Sequence, residues 1–153
     1  MQNTLPLATL IELAQTKTDD ATRRLGQLQS DQISANAKID MLLQYRQEYV
    51  DQLQVKMQAG LASGQLRNYQ QFIKTLDSAI EQQRLLALQA DQSLAKGRAE
   101  WQECKRSLNS YGTLADRVRQ EALLQAGKKE QRDSDERSSR QFFTRSSDID
   151  PLA

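Results

Sequence analysis

The chain has 153 residues, 38% of them hydrophobic and 5% aromatic, with a formal charge of +1 and both signs mixed along most of its length. A single packed globule of this size needs more aromatic and β-branched side chains to fill its interior, and a nucleic-acid binder needs a basic stripe, which the short pairs Arg23-Arg24 and Lys128-Lys129 do not make. With no histidine and one cysteine, Cys104, the chain offers no Cys/His zinc set, no Cys–His or Ser–His nucleophile pair and no internal disulfide.

The first residues, MQNTLPLATLIELAQ, lack a basic stretch followed by a continuous apolar one, so no secretory signal is expected. Nor does any apolar run approach the roughly 20 residues that span a bilayer. A first helix is expected over 5–58. Thr4 can cap it, and Pro6 suits a first turn because its missing N–H would have had no partner there. Apolar positions then recur at alternating steps of three and four. With Ile11 as heptad position a, the a series reads Ile11, Thr18, Leu25, Gln32, Ile39, Arg46, Leu53 and the d series Ala14, Ala21, Leu28, Ala35, Leu42, Tyr49, Lys56. A pattern sustained over so many heptads marks a coiled coil rather than one amphipathic helix.

The pattern stops at Ala59-Gly60-Leu61-Ala62-Ser63-Gly64, whose glycines and serine predict a turn over 59–66. Ser63 or Asn68 can cap the next helix, Asn68 with Gln71 resembling a capping box. The second arm, 67–126, carries the a series Ile73, Ile80, Ala87, Leu94, Trp101, Leu108, Ala115, Ala122 and the d series Tyr69, Leu76, Gln83, Ala90, Gly97, Cys104, Tyr111, Val118. Asp77, Arg84, Asp91, Arg98 and Lys105 at e are solvent-flank residues. Small d residues facing large a residues let two helices interlock. Cys104, at d, reads as a small core residue rather than a reactive thiol.

A tight turn between long helices makes them antiparallel neighbours, and some fifty residues per arm correspond to a rod of roughly 75–80 Å. The expected fold is therefore all-α: an antiparallel two-helix coiled-coil hairpin over 1–126. After Gly127 the register fades. KKEQRDSDERSSR is too polar to offset its ordering entropy, so 127–153 is expected to be a frayed helix end leading into a disordered, charged tail. Phe142-Phe143 within it is either an exposed pair or a short docking motif.

No phosphate-binding glycine loop occurs. A two-helix rod lacks the concave, water-poor pocket that catalysis needs. Neither catalytic, cofactor-binding nor metal-binding residues are expected, and the chain reads as non-enzymatic.

One anomaly points to a partner. Near the turn the g positions are unusually apolar. The g and d positions there are Lys38, Leu42, Tyr45 and Tyr49 on the first arm and Phe72, Leu76, Ala79 and Gln83 on the second. In an antiparallel pair the g edges coincide, so Tyr45, Phe72 and Ala79 should share one flank with Leu42, Tyr49 and Leu76 behind them. An exposed Phe-sized side chain forgoes about 2 kcal/mol of burial, and a contiguous apolar strip of this kind is a docking surface. The alternative is that the helices rotate and bury the aromatics themselves. Leu43, Val50 and Met57 at e also widen the opposite edge, as a stripe drifting at a period of 3.6 would.

The runs DDATRRLGQL, MLLQYRQEYV and above all NYQQFIKTLDSAIEQQR, after a glycine-containing turn, resemble the flagellar export protein family FliJ over roughly Leu7 to Leu124. The resemblance implies a cytoplasmic component of the flagellar type III export apparatus, shaped like the paired helices of the rotary ATP synthase gamma subunit and peripherally associated with the inner face of the membrane. It implies three partners: the export ATPase, whose hexameric ring it helps assemble and enters with the end carrying both termini; the membrane export gate protein; and empty export chaperones. It also implies that Lys38, Leu42, Tyr45, Tyr49, Phe72, Leu76, Ala79 and Gln83 contact the gate, with Lys38 and Gln83 departing from a Gln and a His in the family pattern. No nucleic acid, no direct membrane insertion and a monomer in isolation are expected. The equivalent stalk of a virulence type III secretion system, or a generic structural coiled coil, are the alternatives.

Overall fold

The computed structural model describes residues 6–148. Two α-helices account for them, α1 over Leu7–Ala59 and α2 over Ser63–Ser147, with no strand among the described residues. The all-α hairpin expected from the heptads is the observed architecture. Thr4, the expected cap, lies outside the described residues. Pro6 stands just ahead of α1, where its carbonyl accepts the N–H groups of Thr9 (2.9 Å) and Leu10 (3.2 Å).

The turn is shorter than the glycine-rich run suggested. α1 ends at Ala59, Gly60 takes the left-handed backbone (φ +96°), and α2 begins at Ser63. A residue just past a helix end commonly adopts that conformation, and glycine does so without a steric penalty. Gly60 N–H donates to Met57 (3.4 Å), and the Ala62 carbonyl accepts the N–H of Leu66 (3.1 Å). With Ala62 receiving that bond, neither Ser63 nor Asn68 stands ahead of the helix to cap it.

Contacts divide the chain into two units: Leu13–Arg106, and a second that takes in the residues up to Glu12 and those from Ser107 onward. In the first, α1 and α2 pack antiparallel. Its buried side chains are Ala14, Thr18 and Ala21 on α1 and Leu76, Ile80, Ala87 and Leu94 on α2, with Gly97 buried beside them. All are a or d positions. Small residues dominate the α1 side and large aliphatics the α2 side, so knobs from α2 enter holes on α1. One contact runs the other way: a Cβ added at Gly97 would collide with Leu28 Cδ1, so Gly97 is the hole that takes the Leu28 side chain.

Polar residues on the seam are satisfied across it. Thr18 Oγ1 donates to the Ala14 carbonyl (2.7 Å) and lies 3.3 Å from the Cys104 carbonyl. Trp101 Nε1 donates to Thr22 Oγ1 (2.9 Å). Gln32 and Arg46, which break the apolar a series, reach Asp91 (2.6 Å) and Asp77 (2.5 Å) at e positions of α2. No buried side-chain nitrogen or oxygen lacks a partner among the described residues.

In the second unit, Leu7, Leu10 and Ile11 on α1 and Leu108, Tyr111 and Ala115 on α2 are half-buried. From Asp116 to Asp148 every residue is exposed. The segment after Gly127, expected to fray into disorder, is helical as far as Ser147. An existing helix propagates without a fresh nucleation cost. No Gly or Pro interrupts it between Gly127 and Pro151, and Glu136 and Arg140 approach to 3.9 Å one turn apart.

Candidate partner-binding site

The site follows from which heptad columns the packing leaves in water. Arg24 and Glu100 are both g residues, and their side chains meet at 3.0 Å. The g edges of the two helices therefore coincide, as an antiparallel pair requires. Three heptads toward the turn from that ion pair, the same register brings Tyr45 of α1 to the level of Ala79 of α2. Phe72 lies one heptad closer to the turn on the same column.

The residues of this flank divide by exposure. Tyr45 is 49% exposed and Phe72 41%, so water reaches both rings. Lys38 is exposed, and Leu42, Tyr49 and Ala79 are half-buried. Tyr49 backs the Phe72 ring: its ring centroid lies 4.3 Å from that of Phe72 and 6.0 Å from that of the half-buried Tyr69. Lys56 Nζ sits 5.0 Å from the Tyr69 centroid, within cation–π range. The result is an aromatic group of Tyr49, Tyr69 and Phe72 beside the turn, with Phe72 facing solvent.

Two residues grouped with this strip from the sequence are engaged elsewhere. Leu76 is 7% exposed, part of the apolar core beside Ile80, and supports the strip from beneath. Gln83 turns inward and donates its Nε2 to the Ala35 carbonyl across the seam (3.3 Å). Both occupy d, the most enclosed column, and packing against α1 claims them first.

Other apolar residues on the same flank were passed over. Leu86, 54% exposed, continues the Phe72–Ala79 column at the next seven-residue step. Met41 and Val55, at c on α1, are 50% and 66% exposed. Met41 and Val55 stand outside the g and d columns, and Leu86 lies at g one heptad beyond Ala79, toward the chain termini. The opposite flank carries Leu43 and Met57, exposed, on α1, but α2 lines it with Asp77, Arg84 and Asp91. The g flank of α2, in contrast, carries no charge at Phe72, Ala79, Leu86 or Ser93. The two flanks thus differ in charge more than in apolar content, and only the g flank offers aromatic rings over a neutral column.

The remaining surface of Leu13–Arg106 includes an open hollow of about 400 Å³ lined by Lys17, Asp20, Arg24, Glu100, Glu103 and Cys104. Its Arg24 is paired with Glu100. Among the described residues no group of three or more His, Cys, Asp or Glu side chains could hold a metal ion, and no helix is long and apolar enough to cross a membrane.

The flagellar FliJ protein family model matches residues 2–147, almost the whole chain. The chain belongs to the flagellar FliJ family. It is 40% identical over 130 residues to the flagellar FliJ protein of Salmonella typhi, an alignment covering 85% of this chain and 88% of that one. It is 38% identical, with the same coverage, to the flagellar FliJ protein of Escherichia coli strain K12. This FliJ-family chain therefore matches both relatives over most of their length.

Proposed function

We propose that this FliJ-family chain is a non-catalytic, cytoplasmic component of the flagellar protein-export apparatus that couples an export ATPase to a membrane export gate. In this reading it promotes assembly of the ATPase hexamer and engages the gate through the g flank beside the turn. It also assists the cycling of export chaperones. Its membrane association is peripheral, and the isolated chain is a monomer.

Family membership supports the flagellar setting. The observation that carries the docking part is the exposure of Tyr45 and of Phe72, the latter stacked on Tyr49, on the flank where α2 carries no charge at Phe72, Ala79, Leu86 or Ser93. Aromatic anchors of this kind dominate protein interfaces when a partner desolvates them. Outward contacts in this reading fall to Lys38, Tyr45, Phe72 and Ala79, with Leu42 and Tyr49 partly reached and Leu76 and Gln83 holding the scaffold.

The test is binding of the full chain to the gate's cytoplasmic region and, separately, to the export ATPase. Tyr45→Ser with Phe72→Ser should weaken gate binding by roughly tenfold or more, with far-UV circular dichroism and ATPase binding close to wild type. Unchanged gate binding in a folded double variant would remove the docking role from this flank.

A further inference from the structure

Beyond the partner contacts just proposed, the last turns of α2 carry a feature that the seam does not use. Between Lys128 and Ser147 the only apolar side chains are Phe142 and Phe143. They are 71% and 69% exposed, and their rings sit edge to face with centroids 6.3 Å apart. Among the described residues nothing covers them.

The arginines around the pair are arranged rather than scattered. From Arg137 to Ser147 the segment contains Arg137, Arg140 and Arg145 and no acidic residue, with Glu136 just before it and Asp148 just after. At about 100° per residue, adjacent phenylalanines diverge into a broad wedge whose middle is occupied by Ser139 and Ser146. Arg140 precedes Phe143 by three residues and Arg145 follows Phe142 by three, so each arginine lies about 60° outside its phenylalanine. Arg137 falls on the back of the helix, opposite the wedge. This is an amphipathic turn with an apolar front and basic shoulders. Arg140 also lies 3.9 Å from Glu136, the last acid before the basic stretch.

We propose that this segment adsorbs to an anionic phospholipid surface, with Phe142 and Phe143 in the headgroup boundary and Arg140 and Arg145 on lipid phosphates. The charge of the shoulders selects a negative partner. The shape of the front selects a flat one: a helix that fills a protein groove repeats its anchors at three-, four- and seven-residue steps, and no such repeat occurs here. A lipid surface requires only an apolar wedge beneath a basic, polar face. With a single wedge the adsorption is weak and reversible, and it strengthens when other contacts hold the chain near the membrane.

Co-sedimentation of the full chain with vesicles tests this. Equimolar phosphatidylglycerol and phosphatidylcholine vesicles at low salt should bind the protein, and pure phosphatidylcholine vesicles should bind little. Each basic residue near an anionic surface changes partitioning about fivefold. Arg140→Gln with Arg145→Gln should therefore reduce binding by roughly tenfold or more, and so should Phe142→Ser with Phe143→Ser, in variants whose unfolding curves match wild type. Half-molar salt should remove most of the binding. No binding to the anionic vesicles, or binding that both double variants retain, would overturn the proposal. So would loss of binding to a purified protein partner in the Phe variants while vesicle binding stays absent, since the pair would then be a protein-docking motif.

Discussion

The two parts of α2 are built from similar residues to different ends. Up to Arg106, its large aliphatics at a and d disappear into a seam: Leu94 is 2% exposed and Ile80 4%. Past Asp116, the d residue Val118 is 53% exposed and the a residue Ala122 is exposed too, as are Leu123 and Leu124 beside them, although all belong to the same unbroken helix. The difference lies in the length of partner available, since α1 has 53 residues and α2 has 85. Helix in this chain is a local property, whereas burial is granted only where a second helix lies alongside.

The same substitution in the two regions should therefore give opposite results. Leu94→Ala removes a knob from a closed seam and should destabilise the hairpin by about 2–5 kcal/mol. Leu124→Ala should stay within about 0.5 kcal/mol of wild type. Urea unfolding followed by circular dichroism measures both, and a comparable loss at Leu124 would mean that the far end of α2 is packed after all. Next in size, Gly97→Leu overfills the hole that takes Leu28 and should cost about 1–3 kcal/mol.

A smaller effect is expected from Thr18→Val, which removes a buried hydroxyl that is 3% exposed and bonded to the Ala14 carbonyl. The loss should be about 1 kcal/mol, read from the same unfolding curves. The smallest is truncation after Gly127: the unfolding midpoint of the hairpin should hardly move. In hydrogen exchange on the full chain, amides from Lys128 to Ser147 should exchange far faster than those around Ile80 and Leu94. Equal protection in both stretches would break the comparison.

Much of this was legible in advance because a two-helix seam is one-dimensional. Every a and d position assigned from Ile11 to Leu53 and from Tyr69 to Ala115 is buried or half-buried. The assignment fails only at the ends, at Lys56, Val118 and Ala122, which are exposed. Heptads record a periodicity but not where the partner helix stops. The glycines and serine predict a longer loop than the one present, because a single left-handed residue at Gly60 stands between the end of α1 and the short link to Ser63. Within the strip, Tyr45 and Phe72 fell where g positions should. Leu76 and Gln83 are enclosed, as d positions should be, so they form the floor of the strip rather than its outer edge. The aromatic stack of Tyr49 with Tyr69 and Phe72 depends on side-chain reach across the seam, which spacing along one helix cannot supply.

The cross-seam partners of Gln32 and Arg46 have a further consequence for alternative alignments. A hairpin of repetitive heptads can slide by one repeat and still oppose apolar to apolar. Sliding one way would set Arg46 against Arg84 in place of Asp77; sliding the other way would set it against Gln70. The same slips would move Gln32 from Asp91 to Arg84 or Arg98, and would meet Leu28 with Ala90 or Cys104 where Gly97 now leaves room. Polar interruptions that weaken the seam locally thus disfavour its out-of-step forms more strongly, and so hold the rings beside the turn in fixed alignment.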